Sequence, residues 1–275
     1  MKTIRLFLCL FCIASSCTKD NNDEPPSENP DAGFNLFSVQ DDIDFGKKMD
    51  AEIMATPSEY PVLNKSTNPT AYNNLERIRD SLVRSDDVYF KNTFEWQVRI
   101  IKDDNIVNAF CTPGGYMYFY TGLIKYLDNE AQFAGVMAHE MAHADKRHVT
   151  EQMTKLYGLQ ILFSMLMGND PGEMTKLIAD LAFGLGALQF SRNNEYEADE
   201  YAVKYLSSTA YDPKGISGFF EKITAGASPR PPEFLSTHPD PGNRLDAINT
   251  VWTNLGSPVG QTFESQYQQF KNSLP

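Results

Sequence analysis

Four histidines and four cysteines are all that the 275-residue chain contains. Cys9, Cys12 and Cys17 crowd towards the N-terminus and Cys111 stands alone, which leaves no disulfide framework. Stability must come from a packed core, and the 41% apolar content can supply one domain or at most two. Positive charge is also short, since 24 Lys and Arg against 36 Asp and Glu give a formal charge of −12. That balance argues against nucleic acid as a partner and disfavours electrostatic docking onto anionic lipid. No repeat with a period of about 20 to 50 residues occurs, so no solenoid is expected. Long apolar runs are missing too. Leu6–Ala14, Leu156–Met167 and Leu177–Phe190 all fall short of the ~20 residues a spanning helix needs, and Asp180 interrupts the last. The two later runs better suit a buried helical hairpin, with interfacial contact with lipid as the alternative.

What is present begins at the N-terminus. Lys2 and Arg5 precede the Leu6–Ala14 run, and Ser15-Ser16-Cys17 follows it. The pattern is a short signal peptide ending in a sequence similar to a bacterial lipobox, although Ala14 stands where a leucine is usual. Residues 1–16 are therefore expected to be removed and Cys17 to be lipidated, anchoring the chain to the membrane; ordinary secretion with Cys17 as a loose thiol is the alternative. Residues 17–40 then read as an acidic, proline-containing tether, because TKDNNDEPPSENPDAG is too polar to bury a core. Thr18 lacks the aspartate associated with inner-membrane retention, so the outer membrane of a bacterial cell envelope is expected. The domain would sit in the periplasm, with surface exposure left open. Residues 41–275 form the folded domain.

Within that domain Ile43, Met49 and Ile53 lie on one helical stripe, and Leu75, Ile78 and Leu82 on another. The period then changes. Trp96, Val98 and Ile100 alternate with Glu95, Gln97 and Arg99, as a half-buried strand should. Runs at Ile106–Cys111 and Tyr116–Tyr120, separated by Pro113-Gly114-Gly115, complete a small, largely antiparallel sheet. Helices follow from Glu130 to about Arg147, capped by Asp128 or Asn129, and over 191–206, 213–225 and 241–252. The fold class is α+β, mainly helical.

Three of the histidines fall in AGVMAHEMAHADKRH, residues 134–148. On a helix His139 and His143 differ by about 40° in direction and one turn in height, so both imidazoles can grip one ion. Neutral imidazole suits Zn²⁺, and a catalytic site adds a third protein ligand and water. Glu140, next to the first ligand, stands beside the metal, where it can take a proton from water. His148, on a continuing helix, would point about 180° from His139 and is expected at the surface. A third ligand is sought in SRNNEYEADEYA, residues 191–202. Glu195 and Asp199 share a face there and Glu197 points elsewhere. A bound Glu195 would leave Asp199 able to accept a ring N–H from a ligand histidine. By spacing alone, a solvated acidic face is nearly as good a reading.

HEMAH followed by SRNNEYEADEYA resembles the gluzincin metallopeptidases of the HtpX-like and CAAX-prenyl-protease type. In that family the third ligand is the first glutamate of E-x-x-x-D, often preceded by Ser-Arg, and Glu195, Asp199, Ser191 and Arg192 match position by position. Asn108-Ala109-Phe110-x-x-Pro113-Gly114-Gly115 resembles the family's strand and turn before the active-site helix. Thr121-Gly122-Leu123, His238-Pro239 and Arg244 extend the likeness over about residues 70–250. The resemblance implies a zincin-type metalloprotease domain with its sheet packed on the active-site helix. It also implies one Zn²⁺ per chain on His139, His143 and Glu195, with Glu140 catalytic and Asp199 supporting. Membrane-embedded relatives carry long spans that this chain lacks, and what remains is similar to the family's small, lipid-anchored envelope members. His238 or Arg244 could stabilise the oxyanion. His238 could instead occupy the open metal position and hold the enzyme closed, or be a packed loop residue; Asp240 can cap a helix starting at Pro241. An extended substrate could pair with Ile106–Cys111 or Tyr116–Tyr120, unless both are interior strands. The expected function is a zinc endopeptidase acting on misfolded or misassembled envelope proteins. The alternative is a zinc-containing chaperone or assembly factor with little proteolysis.

Overall fold

The computed structural model describes residues 34–167, 189–225, 233–238 and 243–275. The expected leader, Cys17, most of the tether, the hairpin turn beyond Met167 and the Asp240 cap lie outside the described residues.

Helix α1 (Val39–Ala55) starts in a capping box. The Ser38 hydroxyl accepts the Asp41 N–H at 3.2 Å, and the Asp41 carboxylate accepts the Ser38 N–H at 2.8 Å. Helix α2 (Pro69–Val83) opens on a proline, whose missing N–H costs nothing there, and buries Leu75, Ile78 and Leu82 as their spacing predicts.

Three strands follow: β1 (Gln97–Ile101), β2 (Ala109–Thr112) and β3 (Tyr116–Tyr120). Their order is β1-β3-β2. The β2–β3 hairpin is antiparallel and turns through Pro113–Gly115, where Gly114 and Gly115 take φ of 73° and 88°, a region open to glycine. Strand β1 pairs with β3 in parallel, so the sheet is mixed where a largely antiparallel one was expected. The reason is connection length: the tight hairpin forces β2 and β3 antiparallel, whereas β1 reaches β3 only through the longer stretch that includes β2. All five residues of β3 are buried, and it takes the centre with a partner on each edge. The outer edge of β1 is covered in turn, since Leu63 N–H donates to the Ile100 carbonyl and Lys102 N–H to the Pro61 carbonyl.

Helices α3 (Thr121–Tyr126) and α4 (Glu130–Asp145) come next. The cap of α4 is Asn129, whose side chain accepts the Gln132 N–H at 3.0 Å. The first-turn carboxylate of Glu130 complements the helix N-terminus and receives the Arg77 guanidinium at 2.8 and 2.7 Å and the Tyr211 hydroxyl at 2.8 Å. Every residue of α4 except Gln132 is buried, as befits a helix enclosed on all sides. Around it lie β2, β3, α5 (His148–Met167), α6 (Arg192–Ser207) and α7 (Gly215–Thr224). The short α8 (Phe234–Thr237), α9 (Arg244–Asn254) and α10 (Glu264–Asn272) complete the described residues. None of the described helices is long and apolar enough to cross a membrane.

Candidate metal centre

Helix α4 carries His139, Glu140 and His143 into the middle of the core, all three fully buried. Helix α6 lies against α4 and begins in a second capping box, Ser191 with Asn194, which fixes where its first turn points. That turn presents Glu195, and the next presents Asp199, both buried. Segment 233–238 brings in His238, and the first residue of α9 is Arg244, also buried.

His139, His143, Glu195 and His238 each offer a ligand atom within 4.8 Å of the others, a group that could hold a metal ion. Nε2 of His139 and Nε2 of His143 stand 3.5 and 3.6 Å from the two Glu195 oxygens and 3.0 Å from each other. The donor chemistry fits a cation. Both oxygens of Glu140, both of Glu195 and Nε2 of His238 accept or donate no hydrogen bond among the described residues, although all are buried. Buried polar atoms without partners are rare and costly, so a set converging on one point calls for an ion. Arg244 lies 3.0 Å from Glu195 as an ion pair but outside hydrogen-bond alignment with it.

Supporting contacts hold the ring faces. Nδ1 of His139 meets Asp199 at 3.0 Å, and the Arg244 guanidinium grips both Asp199 oxygens at 2.6 Å. His143 stacks on Phe190 at 3.9 Å, and His238 stacks on Phe234 at 4.2 Å. Burial pushes the Glu140 carboxyl up to about 8, with Glu195 adding to the push and His139 and Arg244 opposing it. Burial also works against charge on His139, but the contact with Asp199 and the nearby Glu195 carboxylate outweigh it and raise the imidazole to about 9. His143 and His238 fall well below the usual histidine range, through burial first and the charge of His139 next.

One expectation is corrected here. His148 is buried, with Nδ1 2.9 Å from Nδ1 of His143 and Nε2 3.2 Å from Glu197. The angular argument assumed a continuous helix, whereas α4 ends at Asp145 and Arg147 takes the left-handed conformation, φ 61°. The chain reverses and returns His148 to the site. A left-handed arginine has no sequence signature, so spacing alone does not reveal the turn. Nothing in the sequence pointed to Phe190 or Phe234 either. Of the two candidate pairing strands, β3 is central, and β2 lies at the sheet edge beside α4.

A His-Glu-x-x-His helix at the core, a carboxylate from a second helix and a small sheet beside them define a zincin-type metallopeptidase. The chain belongs to peptidase family M48, which it matches over residues 69–251. It is 38% identical over 179 residues to the beta-barrel assembly-enhancing protease of Escherichia coli K12, covering 61% of this chain and 37% of that one. A putative protease of the same name from Vibrio cholerae is 28% identical over 256 residues, 88% of this chain and 50% of that one. The Arabidopsis thaliana mitochondrial metalloendopeptidase OMA1 is 35% identical over 144 residues, 52% of this chain and 29% of that one. The match thus spans half or less of each relative's length.

Proposed function

We propose that the chain is a zinc endopeptidase of the bacterial cell envelope that hydrolyses misfolded or misassembled proteins. The observation that carries this reading is Glu140, a fully buried carboxylate with no aligned hydrogen bond to either oxygen, beside the His139–His143–Glu195 cluster. A site that was only structural would have no use for a buried carboxylate at that point. Zn²⁺, when bound by His139, His143 and Glu195, supplies Lewis acidity towards a peptide carbonyl and its attacking water. Glu140 takes the proton of that water and hands it to the leaving amine. Asp199 holds the ring of His139, and Arg244 holds Asp199, so Arg244 is a positioning residue in this reading and not an oxyanion donor.

His238 closes the site. Its Nε2 stands 3.4 Å from Glu140 within the ligand cluster. The same segment sits at the end of the β2 edge, where the Phe234 N–H donates to the Val107 carbonyl at 3.2 Å. An extended substrate pairing along β2 would displace it, reading backbone and few side chains. The envelope setting draws on the names of the bacterial relatives, and Cys17 lipidation, residues 17–40 as tether and an outer-membrane anchor rest on the sequence reading. One experiment separates the peptidase from a zinc-containing chaperone. Zinc content and cleavage of an unfolded protein are measured for residues 18–275, Glu140→Gln, Glu195→Ala and His238→Ala. Wild type and Glu140→Gln should hold near-stoichiometric zinc, with cleavage lost in Glu140→Gln. Glu195→Ala should lose zinc, and His238→Ala should cleave faster. Equal cleavage by wild type and Glu140→Gln, or none by zinc-replete wild type, would overturn the peptidase reading.

A further inference from the structure

We propose that His148 and Glu197 are positioning residues that fix the tautomer and aim of His143 through a relay running from the metal centre to the protein surface. This rests on the zinc reading above. His143 turns Nε2 towards the cluster, 3.6 Å from Glu195 and 3.0 Å from Nε2 of His139. A nitrogen that ligates must offer its lone pair, so the single ring proton of His143 sits on Nδ1. That N–H points at Nδ1 of His148, 2.9 Å away, which must therefore accept. The proton of His148 then sits on Nε2, 3.2 Å from Glu197, which accepts as a carboxylate does. One proton per ring satisfies every contact. With neutral rings, reversing the first bond would move a proton onto the ligating nitrogen of His143.

The two ligand histidines are thus supported differently. His139 meets a carboxylate directly, Asp199 at 3.0 Å, buried and gripped by Arg244. His143 meets one at second hand, through a buried imidazole to a glutamate that is 25% exposed. Glu195 and Glu197 lie on the same helix, so α6 provides both a ligand and the outer anchor of another ligand. The corner that delivers His148 is itself secured. Arg147 pairs with the buried carboxylate of Asp42, which holds the left-handed turn between α4 and α5. Partners of this kind are worth roughly 10- to 100-fold in metal affinity.

A packing role for His148 against Phe190 makes different predictions, and zinc affinity by chelator competition separates the two. His148→Ala should bind zinc ten- to a hundredfold more weakly than wild type, with the unfolding midpoint of the zinc-free protein unchanged. His148→Asn places an amide oxygen near the position of Nδ1 and should recover most of that loss. Glu197→Ala should weaken zinc several-fold, whereas Glu200→Ala, whose residue pairs with Lys204 on the helix surface, should not. Because the effect of Glu197 passes through His148, the double variant should be no weaker than His148→Ala alone. Nitrogen-15 spectra of the zinc-loaded wild type should show the proton on Nδ1 of His143 and on Nε2 of His148. Wild-type affinity in folded His148→Ala, additive losses in the double variant, or the opposite tautomer of His148 would overturn the relay alone. Failure of the wild type to take up zinc would instead remove the metal reading on which the relay rests.

Discussion

A carboxylate at the C-terminal end of a helix opposes the helix dipole, yet Asp145 ends α4 and is buried. Its hydrogen bonds explain its presence. It accepts the backbone N–H groups of Tyr89 and Phe90 at 3.1 and 2.8 Å and the Tyr205 hydroxyl at 2.7 Å. It therefore ties the loop before β1 and helix α6 to the end of the helix that carries the site. Asp145→Ala should cost about 3 kcal/mol in urea unfolding, because buried donors would be left unpaired. Asp145→Asn, which keeps an acceptor oxygen, should cost about half as much. An alanine variant as stable as wild type would show that water replaces the carboxylate.

Helix α4 has no solvent face that periodicity could reveal. Its placement depends instead on how closely neighbours approach it. A Cβ on Gly135 would stand 2.3 Å from the Ile216 nitrogen, and one on Gly215 would stand 2.0 Å from the Ala131 carbonyl oxygen. The backbones of α4 and α7 touch there, and a mid-helix glycine, which costs about 1 kcal/mol against alanine, makes the contact possible. Gly135→Ala gains helix propensity but must push the two backbones apart. The net result should be destabilisation by about 1–3 kcal/mol, with weaker zinc binding because His139 lies one turn further along. Thermal unfolding and chelator competition on the same preparation check both. A variant that is more stable than wild type would mean that the helices slide apart freely.

Across the whole molecule the proposed metal joins parts of the chain that are far apart in sequence. His139 and His143 come from α4, Glu195 from α6 and His238 from the segment beside β2. Without a cation, two buried carboxylates, Glu140 and Glu195, face each other across the site, which is costly despite Arg244. Binding should therefore stabilise the fold as well as the site. At free zinc about a hundredfold above its dissociation constant the gain is about 2.7 kcal/mol. For a domain of this size that is a rise of about 5–10 °C in the unfolding midpoint. Chelator should lower the midpoint of wild type by that amount and leave Glu195→Ala unchanged. An equal response in the two would place the stabilising metal elsewhere.

Where a feature is encoded in neighbouring residues, the sequence alone determined it. The spacing of His139, Glu140 and His143 needs only a helix to put two imidazoles on one face, and Leu75, Ile78 and Leu82 or Val98 and Ile100 declare their elements by period. Glu195 and Asp199 became legible through the likeness of their motif, because spacing by itself could not tell a ligand from a solvated acidic face. Long-range contacts decided the rest. The parallel pairing of β1 with β3 depends on how the chain returns through β2, which no local pattern records. His148 reaches His143 because Arg147 adopts a left-handed turn held by Asp42, from the other end of the domain. The approach of His238 to Glu140 depends on segment 233–238 bonding to the chain just before β2, through the Phe234 N–H and the Val107 carbonyl. Local periodicity carries direction along one element, whereas those contacts depend on where two elements meet, and only the packed core specifies that.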